Sequence, residues 1–150
     1  MDHTATSDSD KLLQRALEAL AAGETTSALA FLERGLKGEE NPSWLSYLGY
    51  CIAKERGQVR KGAAFCAQSV QAEPGNPVHY LNLAKVHLIA GDKIEALTVL
   101  RQGMGAGGNP EILSLLERLG NRKPPVISFL SRDHVLNKYL GKLLFRLHLR

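Results

Sequence analysis

The sequence lacks most of what a chemical site is built from. Its two cysteines, Cys51 and Cys66, form no C-x-x-C pair, and its five histidines (His3, His79, His87, His134, His148) form no H-x-x-x-H pair. A zinc site needs four convergent ligands, so no metal and no cofactor is expected, and the cysteines read as free buried thiols. No apolar run approaches the roughly 18 residues that span a membrane. Almost nothing alternates with period two, which argues against strands. The opening "MDHTATSDSD" has no apolar core of a secretory signal. Residues 1–8 are expected to be a disordered polar terminus, and the expected compartment is the cytoplasm.

What remains is an ordinary globular composition, 44% apolar and 23% charged over 150 residues, enough for one domain with a real core. The net charge of +4 is unevenly spread. Residues 1–40 carry net −4, residues 41–110 net +3 and residues 111–150 net +5. Such asymmetry marks either an anionic partner or a basic helix packed on acidic neighbours of its own chain.

One stretch imitates a cofactor loop. In "RQGMGAGGNP", Gly103, Gly105 and Gly108 fit G-x-G-x-x-G. A dinucleotide loop needs a strand before it, a helix opening within it and an acidic residue about 20 positions on. Here a helical pattern precedes the glycines and Asn109-Pro110 follows them. The match is accidental, and the glycines read as a helix end and a loosened joint.

The informative feature is a repeat. Gly23, Gly57 and Gly91 are each 34 residues apart, as are Ala28, Gly62 and Ala96, and Gly35, Ser69 and Gly103. Ala16, Gly49 and Ala84 keep the period within one residue, and Asn-Pro recurs at 41–42, 76–77 and 109–110. A fixed period of this size marks a stacked-repeat architecture. Each unit reads as two helices, with the first glycine series at the turn between them and proline opening the next unit. The small residues on the first helix are expected to face those on the second. Gly35, Ser69 and Gly103 are expected to give clearance to the next repeat.

Together with "YLG" at 47–49, "NLA" at 82–84, "GDKIEAL" at 91–97 and "AEPGNP" at 72–77, this pattern resembles the tetratricopeptide repeat family. The resemblance covers about residues 10–120 and departs from the family where Leu12 and Leu45 stand in place of an early bulky aromatic. It implies an all-α fold, a right-handed superhelical array of antiparallel helix pairs with about seven to eight helices. The expected limits are repeats at 9–41, 42–76 and 77–109, a partial repeat at 110–121, and a separate C-terminal module at 122–150.

The resemblance also implies a concave groove lined by the first helices. The groove positions are then Leu13, Leu17, Ser46, Tyr50, Lys54, Leu81 and Lys85, which suit an apolar or partly acidic peptide. For Leu13 and Leu81, a place in the core is the competing reading. A chaperone-tail carboxylate clamp is disfavoured. Asn82 suits it, but Ser46 and Tyr50 before it, and Ile112 and Leu116 after it, do not.

After Gly120 the rhythm ends. "PPVISFL" is expected to be extended, with Ser131 or Asp133 capping a final helix. On that helix Leu136, Leu140, Leu143, Leu144 and Leu147 form an apolar stripe edged by Val135 and Tyr139, and Lys138, Lys142, Arg146 and Arg150 form a basic column. It reads first as a cap closing the last repeat. It also reads as a surface for a partner, a second copy or an anionic membrane, through Lys138, Lys142, Phe145 and Arg146. No aromatic stacking series accompanies the basic column, so no specific nucleic-acid partner is expected. Ser131, Asp133 and His134 are too close in sequence to converge as a triad. The expectation is a noncatalytic adaptor that binds a protein or peptide, as a monomer or homodimer.

Overall fold

A computed structural model of the chain describes residues 3–37, 41–120 and 135–147, with side chains from Asp8 onward except those of 136–138 and 141. The expected extended segment at 124–130, the cap at Ser131 or Asp133, and the side chains of Leu136, Lys138 and Arg150 lie outside this set. Among the described residues all regular structure is helical: α1 (His3–Ala21), α2 (Thr25–Gly35), α3 (Pro42–Arg56), α4 (Val59–Ala72), α5 (Pro77–Ile89), α6 (Lys93–Gly105), α7 (Pro110–Gly120) and α8 (Val135–Arg146). The chain divides into two compact units, Met1–Gly120 and Asn121–Arg150.

One boundary differs from expectation. α1 begins at His3, inside the segment expected to be disordered. Polar composition removes a reason to fold, but a helix already nucleated by its apolar residues extends at one hydrogen bond per residue fixed.

The recurring Asn-Pro pairs open helices. The side-chain oxygens of Asn41 and Asn76 accept from the backbone N–H groups of Ser43 and Val78, both at 3.1 Å. Asn109 does the same for Ile112 at 2.8 Å. Each satisfies an N–H with no partner inside the helix, and the proline after it occupies a position where the N–H would have no intrahelical partner anyway. Between the paired helices, Gly57 takes φ +66° and ends α3 in the left-handed conformation that side chains resist.

Helices pack in sequential pairs, α1 with α2, α3 with α4 and α5 with α6, and α3 also packs against α5. The small residues explain the close approach. Ala16, Ala28, Ala84 and Ala96 are fully buried. At the middle pair, a Cβ on Gly49 would run into the Gly62 carbonyl oxygen and lie 2.9 Å from Cys66 Sγ. The third series behaves differently from expectation. Gly35 faces Leu12 and Leu13 of its own repeat, and Ser69 donates to the Pro42 carbonyl of its own repeat. At Gly103 a Cβ would lie 2.9 Å from Tyr80 of its own repeat and 3.0 Å from Ile112 of the next. A second helix meets its own partner along most of its length, so its last turn needs room there first.

In the second unit α8 carries its stripe unevenly. Leu140 and Leu144 are half-buried, whereas Val135, Tyr139, Leu143, Phe145 and Leu147 are exposed.

Candidate functional site

The first helices bring side chains distant in sequence to one cleft of ≈ 460 Å³. α1 contributes Leu17 and Leu20, and α3 contributes Tyr47, Tyr50 and Lys54. α5 contributes Val78, Leu81, Asn82 and Lys85, and Glu111 enters from the first turn of α7. The helical period explains the set: Leu17 and Leu20, Tyr47 and Tyr50, and Val78 and Leu81 are pairs three apart on one helix face.

Of the seven groove positions expected from sequence, Leu17, Tyr50, Lys54, Leu81 and Lys85 line the cleft. Leu81 does so with only 4% of its surface exposed, so it forms part of the floor. Leu13 and Ser46 do not line it. Leu13 is buried in the core of α1 to α3. Ser46 is fully buried in a polar joint between α3 and α5. On α8, Lys142, Phe145 and Arg146 are exposed, and Lys138 falls outside the described side chains.

The cleft is electrostatically mixed. Lys85 Nζ lies 2.7 Å from Glu111 Oε1 and 5.2 Å from the centre of the Tyr50 ring. Burial raises the Tyr50 hydroxyl pKa above its ordinary value, with Cys51, Glu111 and Glu55 adding to the effect. Burial and then Glu73 do the same for Tyr47. Both phenols therefore keep their protons and remain hydrogen-bond donors. Sequence reading missed Leu20, Tyr47, Val78 and Glu111. The first three were within reach as neighbours on faces already chosen. For Glu111 no spacing signal existed, because its partner lies on another repeat.

Behind the cleft, Asn82 donates to Ser46 Oγ at 3.0 Å, and Ser46 Oγ lies 2.7 Å from His79 Nδ1. His79 Nε2 lies 2.6 Å from Glu73 Oε2, and Ser43 donates to Glu73 Oε1 at 2.6 Å. One assignment satisfies the chain: Ser46 donates to Nδ1 and the Nε2 hydrogen goes to Glu73. The order Ser–His–Glu is that of a hydrolase relay. Yet Ser46 and His79 are both fully buried, so no acyl group reaches the hydroxyl. Every buried side-chain polar atom among the described residues has a partner, which fits a structural joint. Among the described residues no three His, Cys, Asp or Glu side chains are grouped to hold a metal ion, and no helix is long and apolar enough to cross a membrane.

Comparison with known structures places this architecture. The crystal structure of the Sgt2 TPR domain from Aspergillus fumigatus matches with a TM-score of 0.57 at 20% identity, over 87% of this chain and 93% of that chain. The fold is that of a tetratricopeptide-repeat domain. No family model matches the sequence, and no curated protein matches it. The repeat fold therefore stands on geometry: paired helices, small residues at their crossings, and first helices facing one cleft.

Proposed function

We propose that the chain is a noncatalytic protein-interaction module that holds a peptide or helix in the cleft formed by α1, α3, α5 and α7. The observation that carries this reading is convergence. Side chains from four helices, belonging to three repeats and the partial fourth, meet at one concave surface and present aliphatic, phenolic and ammonium groups together. Concave, largely apolar surfaces with a few placed polar groups are where ligands are held. The repeat limits 9–41, 42–76, 77–109 and 110–121, and a cytoplasmic setting, belong to the same reading. The buried Ser46 and His79 argue for a binding surface over a hydrolase.

Affinity capture with wild type beside a Tyr50→Ala/Lys85→Glu variant tests it. The variant is expected to lose the partners that depend on the cleft, while circular dichroism shows the same helix content. An unchanged partner set would sink the proposal.

α8 supports a second reading, self-association or attachment to an anionic membrane. Tyr139 and Phe145 are 70% and 71% exposed beside Lys142 and Arg146, a combination suited to a lipid interface. Sedimentation with vesicles containing anionic lipid, compared with neutral vesicles, tests the membrane branch. Equal recovery in the pellet, together with a monomeric mass in solution, removes this second reading.

A further inference from the structure

The Lys85–Glu111 pair is asymmetric, and the asymmetry says what the cleft accepts. The Lys85 side chain is only 25% exposed, whereas that of Glu111 is 57% exposed. A ligand lying in the cleft buries Lys85 further, and a buried ammonium needs an anion beside it. Glu111 needs Lys85 much less. Its carboxylate is largely in water, and it sits in the first turn of α7, where backbone N–H groups favour negative charge. With its carboxylate partner largely in water, the pair is exchangeable. Lys54 on α3 adds a second positive charge to the cleft, with no ion-pair partner among the described residues.

We propose that Glu111 is an internal competitor for the cleft's cationic site, and that the partner is an apolar segment carrying one side-chain carboxylate, which displaces Glu111 from Lys85. The polarity of the walls sets its direction. The aliphatic part lies toward Leu17 and Leu20 on α1, and the carboxylate lies toward Lys85 on α5. The Tyr50 ring beneath the ammonium holds it in place by a cation–π contact while the anion changes. The occupant is a chain passing through, not a chain end. A terminal carboxylate calls for several fixed donors, and here Asn82 already donates to Ser46 and is 4% exposed. This inference rests on the cleft reading and specifies its ligand.

A random peptide library displayed on phage, joined to the coat protein through the peptides' carboxyl ends, tests it against the immobilised full chain. Only side-chain carboxylates are then on offer. The expected enrichment is aliphatic residues with a neighbouring Asp or Glu, and a Lys85→Glu target is expected to lose the acidic preference. An enriched peptide, synthesised as its amide, is expected to bind Lys85→Gln at least about tenfold more weakly. It is expected to bind Glu111→Gln about threefold more tightly, which is the scale of an exposed ion pair. Glu117→Gln, an exposed position on the same helix outside the cleft, makes the same change in net charge and is expected to leave affinity unaltered.

Enriched peptides that need Tyr50 but show no acidic preference overturn the Glu111 inference and leave the cleft reading standing. So does an equal response of Glu111→Gln and Glu117→Gln, or binding that requires a free terminal carboxylate. Failure to enrich any peptide, or enrichment indifferent to Tyr50→Ala, overturns both.

Discussion

The joints between repeats are made in two ways. At the joint from α1 and α2 onto α3, eight buried apolar side chains pack together, Leu13, Leu32 and Ile52 among them. At the joint from α5 and α6 onto α7 there are seven, including Leu100 and Ile112. The middle joint has three, Ala53, Cys66 and Val86, and adds the chain Asn82–Ser46–His79–Glu73. Apolar packing is non-directional, whereas hydrogen bonds fix distance and angle. Every joint therefore has apolar cohesion, and the middle joint, where α3 and α4 both pack on α5, adds alignment of α3 against α5. Those two helices carry both lysines and both tyrosines of the cleft, so the costlier and more specific device stands where the polar geometry of the site is set.

The largest effect is expected at the outer joints. Leu32 and Leu100 are fully buried, and replacing either by alanine should cost about 2–5 kcal/mol, read from urea unfolding. The two sites lie in separate clusters, so the double variant should be additive within about 0.5 kcal/mol. The middle joint should behave otherwise. His79→Ala leaves the buried Ser46 hydroxyl hydrogen without its acceptor and opens a cavity between α3 and α5, and should cost about 2–3 kcal/mol. Combined with Ser46→Ala it should cost less than the sum, because both remove one hydrogen-bond chain. Additivity at His79 and Ser46 would remove the distinction between the joints.

A smaller cost, about 1–3 kcal/mol, is expected for Gly49→Ala, which places a methyl group against the Gly62 backbone. The same substitution would test how tightly the middle repeat closes over its thiols. Burial pushes Cys51 and Cys66 up to about 12, so both stay protonated at pH 8. Alkylation of the native protein at that pH should be far slower than in urea, and Gly49→Ala should accelerate it.

This difference between joints bounds what could be read beforehand. The 34-residue glycine and alanine series revealed the helix pairs, because close crossings admit only small side chains. The Asn-Pro pairs revealed where helices begin. The faces of α1, α3 and α5 followed from helical spacing, which is why Leu17, Tyr50, Lys54, Leu81 and Lys85 were legible as one surface. Ser46 was placed on the groove because its position matched. Its burial depends on His79, 33 residues away, and on Asn82, 36 away, and neither contact leaves a local pattern. Leu13 takes the core place that was its competing reading, packed against Gly35 of α2. Lone polar residues do not announce their partners, so the crossings within helix pairs were readable and the polar joint between repeats was not.

The smallest effect sharpens the comparison through pH. Hydrogen bonds from Ser43 and then His79 hold the Glu73 carboxyl below its ordinary pKa. The folded state thus binds its proton less readily than the unfolded chain, whose value is roughly 4.3. The stability linked to Glu73 is fully present above that value and is lost as pH falls through the lower folded-state value. The carboxylate is 39% exposed, so solvent screening keeps the contribution small. Urea midpoints measured from pH 7 down to pH 3 should fall more steeply for wild type than for Glu73→Gln, with the two curves approaching each other only in the acid range. In a background carrying Ser46→Ala the difference should persist, because Ser43 is the larger cause and does not pass through Ser46. In a Ser43→Ala background it should shrink. Parallel curves for wild type and Glu73→Gln would show that the charge at the end of the hydrogen-bond chain does not hold the middle joint, and would leave its alignment to the Asn82–Ser46–His79 contacts.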